Sequence, residues 1–104
     1  MEKRIEIRLL HPIELVYGDN DTFSPGMARN LSYHGILIQA EYQVFPINRE
    51  VKIIMSINSE PVSLRGIVCW NSEYTGMEAA TEKQLGLFIP DPPPQYINFI
   101  NQLQ

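Results

Sequence analysis

The sequence predicts a mostly-β fold, a small barrel or sandwich with one helix at its C-terminal end. Three observations predict it. Ile and Val together number 18 while Ala contributes only 4, and branched side chains pack better on a pleated surface than along a helix. Extended apolar runs alternate with turn-forming residues at short intervals, without long helical patterns between them. Only the last stretch of the chain carries a helical spacing of apolar residues. With 104 residues, the chain has the size of one domain, taken as 1–104.

The extended runs are expected at 13–17, 26–30, 35–39, 50–57, 62–70 and 84–89. Gly18, Asp19, Asn20 and Asp21, followed by Ser24, Pro25 and Gly26, supply turn chemistry between the first two. Asn58, Ser59, Glu60 and Pro61 are expected to close a tight hairpin between the fourth and fifth. Residues 72–83 read as a loop or a short helical excursion around Met77 to Ala80. The end, 92–104, reads as a helix: Asp91 can cap it, Pro92 can occupy its first turn, and Tyr96, Phe99, Ile100 and Leu103 share one face. A helix this short is marginal in water by itself and must dock by that stripe.

Composition removes several function classes. Leu, Ile, Val and Phe make up 31 of 104 residues, too many for a disordered chain. The apolar runs are a few residues long, far short of the roughly 20 that cross a bilayer. Met1, Glu2, Lys3 and Arg4 open the chain with charge and no apolar signal core, so a cytoplasmic protein is expected. A single Cys69 excludes an internal disulfide and a cysteine zinc cluster, and it is expected to be a small buried hydrophobe. His11 and His34 are the only imidazoles, and no catalytic motif surrounds either, so no enzyme and no catalytic residue is expected. Asp19 and Asp21 lack the further oxygen ligands of a calcium loop, and the glycines never form a phosphate-cradling run. Neither a metal nor a cofactor is expected. Twelve acidic residues against eight basic ones, a net charge of −4, oppose binding of a nucleic-acid polymer, which needs a positive footprint.

Two short signatures stand out from this background. Arg4-Ile5-Glu6-Ile7-Arg8 is an RxxxR, and Asn30-Leu31-Ser32-Tyr33-His34-Gly35 is an NxSxxG that begins 22 residues after Arg8. Gly66-Ile67-Val68-Cys69-Trp70 forms an apolar strand ending in Trp, and Leu85-Gly86-Leu87-Phe88 a later one with Gly two before Phe. In this order and at these separations they resemble the PilZ domain family over nearly the whole chain. The resemblance implies a six-stranded antiparallel β-barrel with a short C-terminal helix. It also implies a non-catalytic receptor for the bacterial second messenger cyclic di-GMP. Its ligand-binding residues would be Arg4, Arg8, Asn30, Ser32 and Gly35, with 1–10 as the N-terminal binding segment and Lys3 and Arg29 as possible additions. Without an attached output domain, such a receptor would act on an unidentified protein effector in motility, biofilm, pilus or secretion control. Its oligomeric state stays open.

Side-chain chemistry suits that ligand. The planar fork of Arg binds phosphate or the O6/N7 edge of guanine in a bidentate way, and its face stacks on a base. Asn30 offers an acceptor and two donors to a base edge, and Ser32 a small hydroxyl. Gly35 would let backbone turn or approach the ligand closely. Arg4 and Arg8 would lie about 13 Å apart if extended, so the segment has to bend around a single ligand, as a mobile terminus can. Plainer readings stand beside these. The charges of Arg4, Glu6 and Arg8 alternate with Ile5 and Ile7 as on a half-buried strand whose polar face meets water. Asn30, Ser32 and Gly35 also suit an ordinary turn. A PilZ-like protein-interaction module without nucleotide binding is therefore the alternative function.

Overall fold

Strict alternation of apolar and polar side chains carries six strands among the residues described, which are 6–19, 21–73 and 83–104 in this computed structural model. The strands are β1 (Ile7–Asp19), β2 (Thr22–Ser32), β3 (Gly35–Ala40), β4 (Glu50–Ile57), β5 (Glu60–Asn71) and β6 (Lys83–Phe88), followed by helix α1 (Pro94–Leu103). All pairings are antiparallel, and the order β1-β2-β3-β6-β5-β4 closes on itself as a barrel. Closure pairs Leu15 to Gly18 of β1 with Met55 to Lys52 of β4, which leaves neither strand as a bare edge there. The six-stranded barrel with a C-terminal helix is thus the architecture that the motifs imply.

Inward positions form one core, with Tyr17, Ile38, Ile53, Val68, Leu85 and Ile89 fully buried. Each such side chain contributes on the order of 1.5–3 kcal/mol by leaving water. Two hairpins show how local chemistry sets the register. Asn58 and Ser59 both take positive φ, 52° and 70°, the backbone that a two-residue turn between twisted strands requires. Gly18 pairs with Phe23 beside the β1–β2 turn, and a Cβ there would lie 2.0 Å from the Thr22 carbonyl oxygen; no other residue fits.

Several expectations need correction. Ser24, Pro25 and Gly26 are strand, not turn: they pair with Tyr17, Val16 and Leu15. Pro25 is tolerated because β3 begins pairing only at Gly26, so its missing N–H deprives no β3 partner. The helix starts two residues later than 92, with Pro93 as its N-cap and Pro94 inside the first turn; Asp91 gives no cap and instead accepts from Arg65 at 3.3 Å. The docking stripe is real at Tyr96 and Ile100, which are fully buried, while Leu103 at its end is 38% exposed. Of 72–83, only Ser72, Glu73 and Lys83 fall within the described residues, so the expectation for Met77 to Ala80 lies outside them.

Three slips in pairing shape the outer surface. Between Arg8 and Ile13, five steps along β1 are matched by only two along β2, from Asn30 to Ala28, so the stretch around Leu10 bulges and leaves that side chain 94% exposed. Ala28 pairs with Ile38 and Asn30 with Leu37, so Arg29 is an extra residue in β2. Val68 pairs with Leu87 and Trp70 with Gly86, so Cys69 is an extra residue in β5. This overturns the expectation of a buried cysteine: the bulge turns Cys69 outward, where its thiol lies 3.3 Å from the Gly86 carbonyl oxygen.

Candidate functional site

The pleat of β1 turns Ile7 and Leu9 towards the core and leaves Arg8 exposed between them. Arg8 pairs directly with Asn30 of β2, and directly paired residues have Cα atoms about 4.5–5.5 Å apart. Arg8 thus lies on the exposed polar face of a half-buried strand, and Asn30 shares that face. The chain is therefore already strand from Ile7, not a loose arm; Lys3 and Arg4 lie outside the described residues.

The bulge at Arg29 settles where that side chain goes. Ala28 and Leu31 are buried while Arg29 is exposed and Asn30 half-buried, so both neighbours stand on the outer surface although adjacent strand residues normally alternate. Ser32 ends β2 opposite Gly35, and its hydroxyl points at the Gly35 carbonyl oxygen at 3.5 Å. Gly35 does not take left-handed backbone. A Cβ there would lie 3.0 Å from the Ser32 hydroxyl, so the glycine serves close approach within the motif rather than a special φ.

Register extends the face beyond the residues that sequence motifs single out. Asn30 pairs with Leu37, Leu37 with Gly86, and Gly86 with Trp70, so Arg8, Asn30, Leu37, Gly86 and Trp70 form one row across five strands. Gly86 adds no side chain, and Trp70 beside it is partly exposed. The next row runs Ser32, Gly35, Phe88, Ile67, with Phe88 45% exposed and stacked on the His34 ring at 6.0 Å. Leu37 and Trp70 joining Asn30 could not be read from the motifs, because the slips at Arg29 and Cys69 decide which residues align.

The four described arginines fall into two groups. Arg49 pairs with Asp19, and Arg65 with Glu50 and Asp91. The Arg8 and Arg29 guanidinium groups, by contrast, make no ion pair or hydrogen bond to another described residue. Among the described residues Glu6 is the acid that reaches Asn30, its carboxylate accepting from the Asn30 amide at 2.8 Å. A shallow depression of about 670 Å³ elsewhere on the surface is lined by Glu14, Glu41, Val16, Met27 and Ile54 and has no cation, so it does not suit a phosphate. No group of three or more His, Cys, Asp or Glu among the described residues could hold a metal ion, and no helix among them is long and apolar enough to cross a membrane.

The turn carrying Ser32 and Gly35 rests on the C-terminal segment. The Tyr96 hydroxyl donates to the Ser32 carbonyl oxygen at 2.7 Å and lies 3.1 Å from that of Gly35. Burial pushes this hydroxyl well above the ordinary phenol range, and the bond to Ser32 only partly offsets the shift.

No family model matches the chain, and no curated protein matches it. Solved structures do. The Bacillus subtilis inhibitor of motility MotI/DgrA superposes with a TM-score of 0.71 at 11% identity over 99% of this chain; the chain spans half of that protein, 50%. The PilZ domain of CeSA from a cellulose-synthesizing bacterium superposes with a TM-score of 0.63 at 14% identity, over 93% of this chain and 94% of that domain. Identities this low speak to architecture alone, and on that ground the chain is a barrel of the PilZ fold.

Proposed function

We propose that this chain is a non-catalytic receptor for cyclic di-GMP that acts on a protein effector. The observation that carries the proposal is the pairing of exposed Arg8, without an ion-pair partner among the described residues, with Asn30. Ser32 and Gly35 stand at the end of the same strand, and Leu37 and Trp70 continue the same surface. In this reading the guanidinium of Arg8 takes a phosphate or the O6/N7 edge of a guanine, where a bidentate contact is worth roughly 1–3 kcal/mol of discrimination. Asn30 and Ser32 supply donors at the edge of the ligand, Gly35 allows close approach, and Arg29 adds positive charge. The RxxxR motif adds Arg4 to the ligand residues, with Lys3 as a possible addition; both lie outside the described residues. The PilZ fold and both motifs support the assignment.

One observation favours the alternative, an interaction module that binds no nucleotide: the Glu6 carboxylate holds one N–H of Asn30 and places negative charge where a phosphate would lie. Titration calorimetry with cyclic di-GMP separates the two. The receptor gives saturable heat that Arg8→Ala removes or weakens, whereas folded protein that gives no heat at tens of micromolar concentration is an interaction module.

A further inference from the structure

Each residue of the β2–β3 turn is tied to the chain after β6. Ser32 and Gly35 present their carbonyl oxygens to the Tyr96 hydroxyl. The Tyr33 hydroxyl donates to Asn101 and accepts from Gln104 at 3.0 Å. His34 accepts the Ile89 amide at its carbonyl oxygen at 2.9 Å, and its Nδ1 lies 2.9 Å from the Ile89 carbonyl oxygen. Four consecutive residues, including two of the proposed ligand residues, are thus held by the segment from Ile89 to Gln104.

The helix that holds Ser32, Tyr33 and Gly35 is weakly built by itself. It has ten residues, no side-chain cap, no acid in its first turn and no base in its last. A helix of that length has little stability in water, and its docking rests on Tyr96 and Ile100, the two side chains it buries. Elements with few buried contacts open first. Whether the turn keeps its shape therefore depends on whether α1 is docked.

We propose that α1 is the positioning element of the nucleotide site and Tyr96 its positioning residue, so that helix docking and cyclic di-GMP binding strengthen each other. The proposal rests on the receptor reading above. With α1 docked, the Tyr96 hydroxyl fixes the Ser32 and Gly35 peptides, and with them the place of the Ser32 hydroxyl, which lies 3.5 Å from the same Gly35 carbonyl oxygen. With α1 undocked, the turn samples other shapes and binding bears the cost of re-ordering it. Linkage makes the effect reciprocal: whatever docking adds to nucleotide affinity, nucleotide adds to docking. Nucleotide occupancy is thereby reported at α1, whose exposed side an effector can read.

The test uses the full chain, with calorimetry for affinity and amide hydrogen exchange for helix docking. Tyr96→Phe keeps the buried ring and deletes the hydroxyl. Phe45→Leu is the control: Phe45 packs edge-on against Tyr17, which pairs with Ser24, eight residues along β2 from Ser32. Tyr96→Phe is expected to bind cyclic di-GMP roughly three- to tenfold more weakly, the effect of one neutral hydrogen bond. Phe45→Leu is expected to lower the melting temperature with affinity unchanged. Nucleotide should slow exchange of the α1 amides in the parent and do so less in Tyr96→Phe. The proposal is overturned if Tyr96→Phe binds as tightly as the parent, if both variants lose affinity equally, or if nucleotide speeds exchange in α1. In those cases the receptor reading stands. A parent that binds no nucleotide removes the receptor reading and this proposal together.

Discussion

The Arg8 side chain is exposed and makes no bond to another described residue, so removing its guanidinium should weaken binding and change little else. Arg8→Ala is expected to weaken cyclic di-GMP binding at least about tenfold, or ~1.4 kcal/mol, with the ligand-free melting temperature nearly unchanged. Arg4→Ala is expected to do the same by calorimetry. Arg8→Lys should recover only part of the loss, since the charge returns without the fork. Gly35 makes a different prediction. A Cβ would meet the Ser32 hydroxyl at 3.0 Å with an ordinary φ, so Gly35→Ala should fold and weaken binding modestly by displacing that hydroxyl. Gly35→Val, which adds two more methyl groups at the turn, should also lower the melting temperature. At this scale the RxxxR and NxSxxG motifs made Arg8, Asn30, Ser32 and Gly35 legible, but not the reason Gly35 is glycine, which depends on where Ser32 points.

At the scale of the element, α1 gives the molecule an alkaline weakness. Burial raises the Tyr96 hydroxyl above its unfolded value near 10, and burial raises Tyr17 as well. The unfolded chain therefore releases these protons first. Their contribution to stability is complete below pH 10 and is lost as pH climbs from there towards the folded pKa, with a slope for Tyr96 of at most about 1.4 kcal/mol per pH unit. Urea unfolding between about pH 9 and pH 11 should show stability falling with pH, and Tyr96→Phe should make that fall shallower. A slope identical in parent and variant would show that Tyr96 does not carry the effect.

The strands and the helix stripe were legible because alternation and helical spacing report burial directly: Val51, Ile53, Met55 and Ile57 face inward in β4 as their pattern requires. The bulges were not. Arg29 and Cys69 lie outside the pairing because their partner strands are one residue shorter at that point, a property of two distant segments that neither reveals by itself. That is why Cys69 reads as buried in sequence and is exposed in the fold, and why Trp70 joins the Asn30 row unannounced.

For the whole molecule, a closed barrel in which every strand pairs with two neighbours should unfold as one unit, so ligand binding at one face registers in global stability. Cyclic di-GMP at about a hundred times its Kd is expected to add about 2.7 kcal/mol by linkage and raise the melting temperature by several degrees. Arg8→Ala, binding about tenfold more weakly, should show no more than about half of that rise at the same nucleotide concentration. A rise of equal size in parent and variant would place the nucleotide elsewhere.

The central claim is that the nucleotide lies on the face where β1, β2 and β3 bring Arg8, Asn30, Ser32 and Gly35 together. It is tested most directly by titrating cyclic di-GMP into isotopically labelled protein and following backbone and arginine side-chain resonances. The account predicts the largest shifts at Arg8 and from Arg29 to Gly35, with smaller ones at Leu37, Gly86 and Trp70 and at the α1 amides near Tyr96. Shifts centred instead on Val16, Met27 and Ile54 in the acidic depression, or no shifts at saturating nucleotide, would contradict it.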